Sequence, residues 1–176
     1  RMLDHVKSLD VPVQFDHINS VDLSQYPFVL KGNSDPISCL GLIIATGASA
    51  RYLGLPSEQT YMGRGVSACA TCDGFFFKDK PVAVIGGGNT AVEEVLYLSK
   101  LASQVVLIHR RDTLRAETLL TQRLMKTVEA PNSNVSIMWD HVVKTIQGDG
   151  KVVNGIEVQH TKTDKVQTVP LDGVFI

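Results

Sequence analysis

The chain has few cysteines, almost no net charge and no long apolar run, and each scarcity removes a class of function. Three cysteines in 176 residues are too few for a disulfide-stapled secreted scaffold. A net charge of −1 provides no basic field for nucleic acid or for an anionic membrane surface. No apolar segment approaches the roughly 20 residues needed to cross a bilayer. The opening Arg1-Met2-Leu3-Asp4 lacks the charged and apolar regions of a secretion signal. These absences set the expectation of a cytoplasmic protein with no nucleic-acid and no membrane partner. Internal repeats and low-complexity tracts are also missing. What remains is 44% hydrophobic and 20% charged, enough for one or two small domains with real cores.

Hydrophobic periodicity divides the chain. Arg1 to Leu9 reads as the tail of a helix, Val11 to Phe15 and His17 to Val21 alternate like edge strands, and Tyr26 to Lys31 reads as another strand. The run Cys39-Leu-Gly-Leu-Ile-Ile-Ala-Thr-Gly47 predicts a buried strand ending at a glycine corner. Residues 48 to 65 are rich in small residues and contain Pro56, which suits a crossing segment between a unit at 1–47 and a second at 66–176. Val82 to Ile85 predicts a short buried strand, Asn89 to Leu101 a helix with Val92, Val95, Leu96, Tyr97 and Leu101 on one face, and Gln104 to His109 the next strand. This is a βαβ unit. A second helix is expected from about Leu114 to Val128, with Leu119, Leu120, Leu124 and Val128 inward. A meander follows: Val135 to Trp139, Val142 to Ile146, Val152 to His160 and Val166 to Val169, with Leu171 to Ile176 returning to the parallel sheet. The fold class is therefore α/β. Because the chain opens on arginine and stops inside an apolar strand, Val174-Phe175-Ile176, it reads as a piece of something longer.

Between the strand at Val82 and the helix at Asn89 lies Gly86-Gly87-Gly88-Asn89-Thr90-Ala91, a G-x-G-x-x-A fingerprint. The first glycine permits a sharp turn, Gly88 lets backbone approach a pyrophosphate, and Ala91 lets helix and sheet pack closely. The helix N-terminus adds free N–H groups and a positive dipole end for phosphates. Glycine turns also occur for packing alone, but the clean strand before and helix after favour a dinucleotide site.

Which dinucleotide depends on the next strand. An NAD site usually carries an acidic residue about 20 positions after the glycines, to bind the ribose hydroxyl. Here stand His109-Arg110-Arg111, with Arg115 four residues on. Guanidiniums match a dianionic 2′-phosphate through bidentate, charge-assisted bonds, so the cofactor expected is NADPH. A solvated basic start to the next helix is the bland alternative, and it is poorly placed because cations oppose the helix dipole there.

Just upstream, Cys69-Ala70-Thr71-Cys72 is followed by Asp73. A two-residue spacer lets the sulfurs close a small ring and cycle between dithiol and disulfide. A zinc site would need a second pair or a Cys/His cluster, and Cys39 lies 30 residues away in an apolar run, where it reads as core. No metal is therefore expected. Asp73 fits two readings, a proton relay to a leaving thiolate or the turn-forming half of an Asp-Gly pair with Gly74.

In this order and spacing, Ala45-Thr46-Gly47-Ala48, Cys69-Ala-Thr-Cys-Asp-Gly74, Gly86-Gly-Gly-Asn-Thr-Ala91 and His109-Arg-Arg111 with Arg115 resemble bacterial low-molecular-weight thioredoxin reductases, from about residue 15 onward. The resemblance implies a Rossmann-like three-layer NADPH-binding domain with a β-meander at 66–176, and part of an FAD-binding domain at 1–47. It implies a homodimer that passes hydride from NADPH to FAD, then electrons to the cysteine pair and on to thioredoxin. By the same resemblance Cys72 lies nearest the flavin, Cys69 attacks thioredoxin and Asp73 is the acid. Gly86, Gly88, Asn89, Thr90, His109, Arg110, Arg111 and Arg115 hold NADPH, while Ala45, Thr46 and Gly47 touch FAD. Phe75-Phe76-Phe77 and Arg64 are candidates for the thioredoxin groove, against the alternative that an apolar triple is core. The family's N-terminal flavin fingerprint and its later Gly-Asp flavin motif are absent from these 176 residues. The expectation is thus a chain that binds NADPH without holding FAD or turning over. Two alternatives stay open: a flavoprotein reductase linked to a peroxiredoxin, and a non-catalytic NADPH-binding module that senses redox state.

Overall fold

A computed structural model of the chain describes residues 2–47 and 49–176. Expectations that fall on Arg1 and Ala48 lie outside the described residues. Contacts divide the chain into two compact units, Arg1–Ala48 and Ser49–Ile176.

In the first unit, helix α1 (Met2–Ser8) precedes an antiparallel meander of β1 (Ser20–Asp22), β2 (Phe28–Lys31) and β3 (Ile37–Cys39), in spatial order β1-β2-β3. Val21 faces Leu30, and Val29 faces Ser38. No described residue of this unit is buried. The strand expected over Val11 to Phe15 does not form, and β1 begins only at Ser20. Asp16 explains the delay. Its carboxylate accepts from the backbone N–H of His17 at 2.7 Å, Asn33 at 2.9 Å and Ser34 at 3.1 Å, so backbone groups a ladder would need are already engaged by a side chain. Desolvation pushes the Asp16 carboxyl upward, but these N–H donors prevail and hold it below the ordinary carboxylate value. The buried strand expected over Cys39 to Gly47 is also absent. Past Cys39 the backbone is irregular, and Leu40, Ile43 and Ile44 are 69%, 91% and 73% exposed. An apolar run becomes a buried strand only where neighbours pair its backbone and cover both faces, and no described residue pairs with 40–47.

The second unit is built in three layers. Its centre is a parallel sheet of β4 (Val66–Ser67), β5 (Pro81–Ile85), β6 (Gln104–Ile108), β7 (Val135–Met138) and β11 (Gly173–Phe175), in spatial order β4-β11-β5-β6-β7. One face carries α4 (Asn89–Leu98) between β5 and β6, and α5 (Thr118–Val128) between β6 and β7. The other face carries an antiparallel meander of β8 (His141–Gly148), β9 (Val153–His160) and β10 (Val166–Pro170). Strand alternation sorts side chains between the two interfaces. Val82, Val84, Val105, Leu107 and Phe175 meet Val92, Val95, Leu98 and Leu124 of the helices. Ala83, Ile108 and Val174 meet Val143, Ile146, Ile156 and Val158 of the meander. Each fully buried Leu or Val stabilises the fold by about 1.5–3 kcal/mol relative to its exposed state.

Two helix boundaries depart from the sequence reading, and one helix lies where none was expected. α4 stops at Leu98, where the Asn134 side-chain amide donates to the carbonyls of Ser99 and Ala102 and caps the helix end. α5 begins at Thr118 rather than Leu114 because backbone groups of residues 113–117 bind the glycine loop instead. The Arg115 N–H donates to the Gly87 carbonyl at 2.7 Å and the Glu117 N–H to Asn89 Oδ1 at 2.8 Å. Leu119, expected inward, is 59% exposed. Finally, α2 (Pro56–Tyr61) occupies the stretch read as a crossing segment. Pro56 sets its first turn, and the buried Glu58 carboxylate accepts from the N–H groups of Leu53, Gly54 and Leu55 at 2.6–2.8 Å. Two further short elements, α3 (Ala70–Asp73) and a 3-10 turn at Gly74–Phe77, lead from β4 to β5.

Candidate functional site

Each glycine of the loop between β5 and α4 has a different physical task. Gly86 sits at φ +153°, and a Cβ there would stand 2.8 Å from the Ala91 Cβ. The tight turn and the close helix-to-sheet packing are thus one constraint shared by two residues. A Cβ on Gly87 would fall 2.2 Å from the His109 ring. A Cβ on Gly88 would meet nothing within 4 Å. Gly88 therefore serves open space in front of the α4 N-terminus, the approach that a pyrophosphate needs.

Two adjoining clefts, of about 390 and 340 Å³, run across this loop and share Arg51, Ile85, Gly86, Gly87, Arg115 and Ile176. The first continues to Arg110, His109 and His141, with no carboxylate among its described lining residues. The second continues past Gly88, Thr90 and Ala91 to Glu94 and Ala68, the residue before Cys69. Together they form a trough with a cationic end and an end beside the cysteine pair.

The predicted nucleotide residues divide between trough and wall. Arg110 and Arg115 are exposed and line the cationic end. His109 is buried, 5% exposed, and lies edge-on to Trp139. Its Nε2 is 2.9 Å from the Thr113 carbonyl oxygen, which only accepts, so Nε2 donates and the ring buttresses the loop from behind. Arg111 is exposed but lines neither cleft. Asn89 is occupied internally: its Nδ2 donates to Glu117 Oε1 at 3.1 Å while its Oδ1 accepts from the Glu117 N–H. Thr90 lines the end toward the cysteines.

Cys69 and Cys72 are joined, with S–S 2.01 Å and Cα–Cα 5.3 Å. Cys69 caps α3, and its Sγ accepts from the Cys72 N–H at 3.2 Å. Cys69 is half-buried and Cys72 exposed. The buried Ser67 hydroxyl donates to Asp73 Oδ2 at 2.6 Å and accepts from the Cys69 N–H at 3.1 Å. Asp73 is therefore linked through Ser67 to the backbone of the redox pair, while Gly74 behind it opens the 3-10 turn. On the other side, Glu94 of α4 accepts from the Ala70 N–H at 3.0 Å. Burial pushes the Glu94 carboxyl above its ordinary value, and the Ala70 bond offsets part of that rise.

The triple Phe75-Phe76-Phe77 splits. Phe75 and Phe76 are 71% and 72% exposed, whereas Phe77 packs edge-on against the buried Phe175 at 5.3 Å. The Arg64 guanidinium bonds back to the Thr60 carbonyl. In the first unit, Ala45, Thr46 and Gly47 are exposed on irregular backbone, with Gly47 at φ +74°. Cys39 is a half-buried free thiol. Among the described residues no group of three or more His, Cys, Asp or Glu side chains gathers as a metal site, and no helix is long and apolar enough to cross a membrane.

Sequence reasoning missed Arg51, Glu94 and His141 as trough residues. Glu94 carried only its place about one turn past the fingerprint on α4; its meeting with the Ala70 N–H is tertiary. Arg51 and His141 carried none, because each reaches the trough through tertiary packing from a distant segment.

A parallel sheet with a glycine turn at one strand end, a basic cleft across it and a bonded C-x-x-C pair beside it defines an α/β unit with a dinucleotide-type glycine turn and a cysteine couple in one lobe. Residues 4–176 match the family described as Pyridine nucleotide-disulphide oxidoreductase, and the chain belongs to that family. It is 59% identical over its whole length to a thioredoxin reductase of Coxiella burnetii, covering 54% of that protein. Against a thioredoxin reductase of Vibrio cholerae it is 52% identical, covering 55%. Among solved structures, that of thioredoxin reductase from Streptococcus pyogenes aligns over 99% of this chain and 56% of its own, with TM-score 0.76 at 37% identity. The chain thus spans about half the length of these relatives.

Proposed function

We propose that this chain is the nucleotide-binding and disulfide-bearing part of an NADPH-dependent flavoprotein disulfide reductase that delivers electrons through FAD and Cys69/Cys72 to oxidised thioredoxin. The observation that carries the reading is one trough: it begins at Arg110 and Arg115, crosses Gly86 to Gly88, and ends at Ala68 and Glu94 beside the bonded pair. The names of the relatives, thioredoxin reductases in both organisms, support the acceptor. In domain terms, residues 66–176 are the NADPH domain, 1–47 part of an FAD domain and 48–65 the passage between them. The full-length protein is a cytoplasmic homodimer in this reading.

The residues present fit NADPH. Gly88 leaves room for a pyrophosphate, the α4 N-terminus faces that room, and Arg110 and Arg115 provide two guanidiniums for a 2′-phosphate. When bound, NADPH supplies two electrons as hydride from its nicotinamide ring. The described residues do not fit FAD in the same way. Residues 40–47 are irregular and, apart from the half-buried Leu42, exposed, and the first unit has no strand–glycine turn–helix cradle among its described residues. This chain alone is expected to bind NADPH without FAD.

At the sulfurs, two electrons and two protons convert the Cys69–Cys72 disulfide to a dithiol. One thiolate then attacks a disulfide sulfur of thioredoxin, forming a mixed disulfide and releasing a thiolate. The second cysteine attacks the mixed disulfide, restores the pair and leaves thioredoxin as a dithiol. Asp73, positioned through Ser67, is the acid that gives the leaving thiolate its proton. Attack by Cys69, the half-buried member, requires its sulfur to become accessible once the disulfide opens. Phe75 and Phe76 supply apolar contact for the incoming protein.

The test uses the full-length protein with NADPH and oxidised thioredoxin, following thioredoxin-dependent reduction of a dithiol reagent. Turnover only with thioredoxin supports the proposal. Turnover with a peroxiredoxin instead would move the assignment to that acceptor, and silence with both would leave a redox-sensing module.

A further inference from the structure

We propose that His141 is a third arm of the 2′-phosphate pocket, an imidazole that takes up a proton when NADPH or NADP⁺ binds and so strengthens discrimination against the unphosphorylated dinucleotide as pH falls. The inference rests on the trough being the nucleotide site and deepens that reading.

His141 opens β8 on the face of the parallel sheet opposite the helices, yet it lines the same cleft as Arg110, Arg115 and Arg51. Main-chain pairing fixes it there: the His141 N–H donates to the His109 carbonyl at 3.0 Å, and the Asp140 N–H to the Arg111 carbonyl at 3.3 Å. The ring is oriented as well. Its Nδ1 lies 2.5 Å from the Trp139 carbonyl oxygen, which can only accept, so Nδ1 carries the hydrogen and Nε2 holds the lone pair. Nε2 in turn lies 3.4 Å from the Gln167 amide nitrogen, a donor that suits an unprotonated Nε2. Nε2, which faces the Gln167 amide, is therefore the one ring nitrogen that can gain a proton.

Charged and titratable groups surround the ring from every packed element. The loop after β6 contributes His109, Arg110 and Arg115 to the cleft, with Arg111 outside it, and the segment before α2 contributes Arg51. β9 contributes His160, edge-on at 4.9 Å. Asp140, the preceding residue, has its carboxylate held by Lys162 at 2.9 Å, and Asp112 lies 3.9 Å from the same ammonium. Cations thus dominate the cleft. An arriving phosphate dianion reverses the local field and favours the imidazolium, whose new Nε2–H is accepted by the Gln167 side-chain oxygen once that amide turns over, so His141 adds a positive charge to the pocket wall. By linkage, a complex that holds more protons than its free parts forms more tightly as pH falls. The gain ends near about pH 6, where the phosphate itself takes a proton.

The test measures NADP⁺ and NAD⁺ binding to the full chain by calorimetry at pH 6.5 and 8.5, in buffers of different ionisation enthalpy. Wild type is compared with His141→Gln, His141→Phe and His160→Gln. Expected is a loss of about tenfold in NADP⁺ affinity for His141→Gln and His141→Phe at pH 6.5, shrinking to about twofold or less at pH 8.5. NAD⁺ affinity should not change, and net proton uptake on NADP⁺ binding should vanish in both His141 variants but persist in His160→Gln. Wild-type affinity in His141→Phe would mean that the ring merely packs on the nucleotide, and would overturn the proposal. So would equal losses for NADP⁺ and NAD⁺, or proton uptake that disappears with His160 instead. If wild type binds neither nucleotide, the nucleotide reading of the trough itself falls.

Discussion

Two apolar runs in this chain end in a glycine corner, and they meet opposite fates. Val82-Ala83-Val84 is 0–1% exposed at the centre of a parallel sheet, between β11 and β6. Leu42-Ile43-Ile44 leads to Gly47 with Ile43 91% exposed and Ile44 73% exposed. Composition does not separate them, since both are strings of aliphatic residues of similar length. Partners do. β5 finds backbone acceptors and donors on both edges and side chains above and below, while 40–47 finds neither among the described residues. A hydrophobic run is a request for burial that only neighbouring elements can grant.

The largest effect expected from that contrast lies in the second unit, where chemistry depends on the core. In the full-length protein, Cys69→Ser or Cys72→Ser should reduce NADPH-dependent reduction of thioredoxin to background, because a single thiol cannot cycle as a disulfide. A mixed disulfide trapped with thioredoxin in only one of the two variants identifies the attacking sulfur, and trapping through Cys72 would reverse the order proposed above. Next comes stability. Leu98→Ala should lower the unfolding free energy by about 2–5 kcal/mol, whereas Ile43→Ala and Ile44→Ala should change it by no more than about 0.5 kcal/mol. Comparable losses in denaturant titrations of this chain would break the comparison, since they would show the first run to be packed.

Within the glycine loop the same logic separates folding from binding. Gly86→Ala should lower both the melting temperature and NADP⁺ affinity, because its Cβ collides with Ala91 at a φ unsuited to a side chain. Gly88→Ala should leave melting unchanged yet weaken NADP⁺ binding by about tenfold, since its Cβ enters only open space, where the proposal puts the pyrophosphate. A melting loss in Gly88→Ala would show that the open space is needed by the fold instead.

The smallest effect concerns Glu94. Burial raises its carboxyl above the ordinary value of 4.5, so the folded state holds this proton more tightly than the unfolded state. The group therefore costs stability at neutral pH, and the cost is relieved as pH falls from the raised value toward 4.5. Glu94→Gln should flatten that part of the stability–pH profile. Because Glu94 is only half-buried, solvent screening keeps the change below about 1 kcal/mol, and an unchanged profile would remove Glu94 as its source.

Much of the second unit was legible because local signals agreed with one another. Period-2 strands, a period-3.6 helix after a glycine fingerprint and polar turns all pointed to one α/β topology, and β11 returned to the sheet where the run at Leu171 to Ile176 required it. The site was legible in kind but not in detail. His109 and Asn89 stand beside the glycine loop as expected, and the structure adds internal roles that their letters do not announce: one packs behind Gly87 while still lining the cleft, and the other ties α4 to the start of α5. A polar residue beside a fingerprint has the same letter whether it faces a ligand or a neighbouring backbone. The first unit was least legible, because Asp16 captures backbone donors from residues as far ahead as Ser34, and nothing in its immediate neighbours announces that.

The amino-acid order by itself determined the chemistry available: two sulfurs close enough in sequence to form a ring, glycines where a backbone must turn without side chains, and arginines where an acidic residue would be expected. These are local properties, set by covalent spacing and residue type. Only the tertiary structure decided which groups share a cavity. It set Arg51 and His141 opposite Arg110 and Arg115, brought Glu94 to the Ala70 N–H and turned His109 inward. Such meetings depend on how strands and helices from distant parts of the chain pack together, and that packing is fixed by the burial of whole surfaces rather than by any one residue.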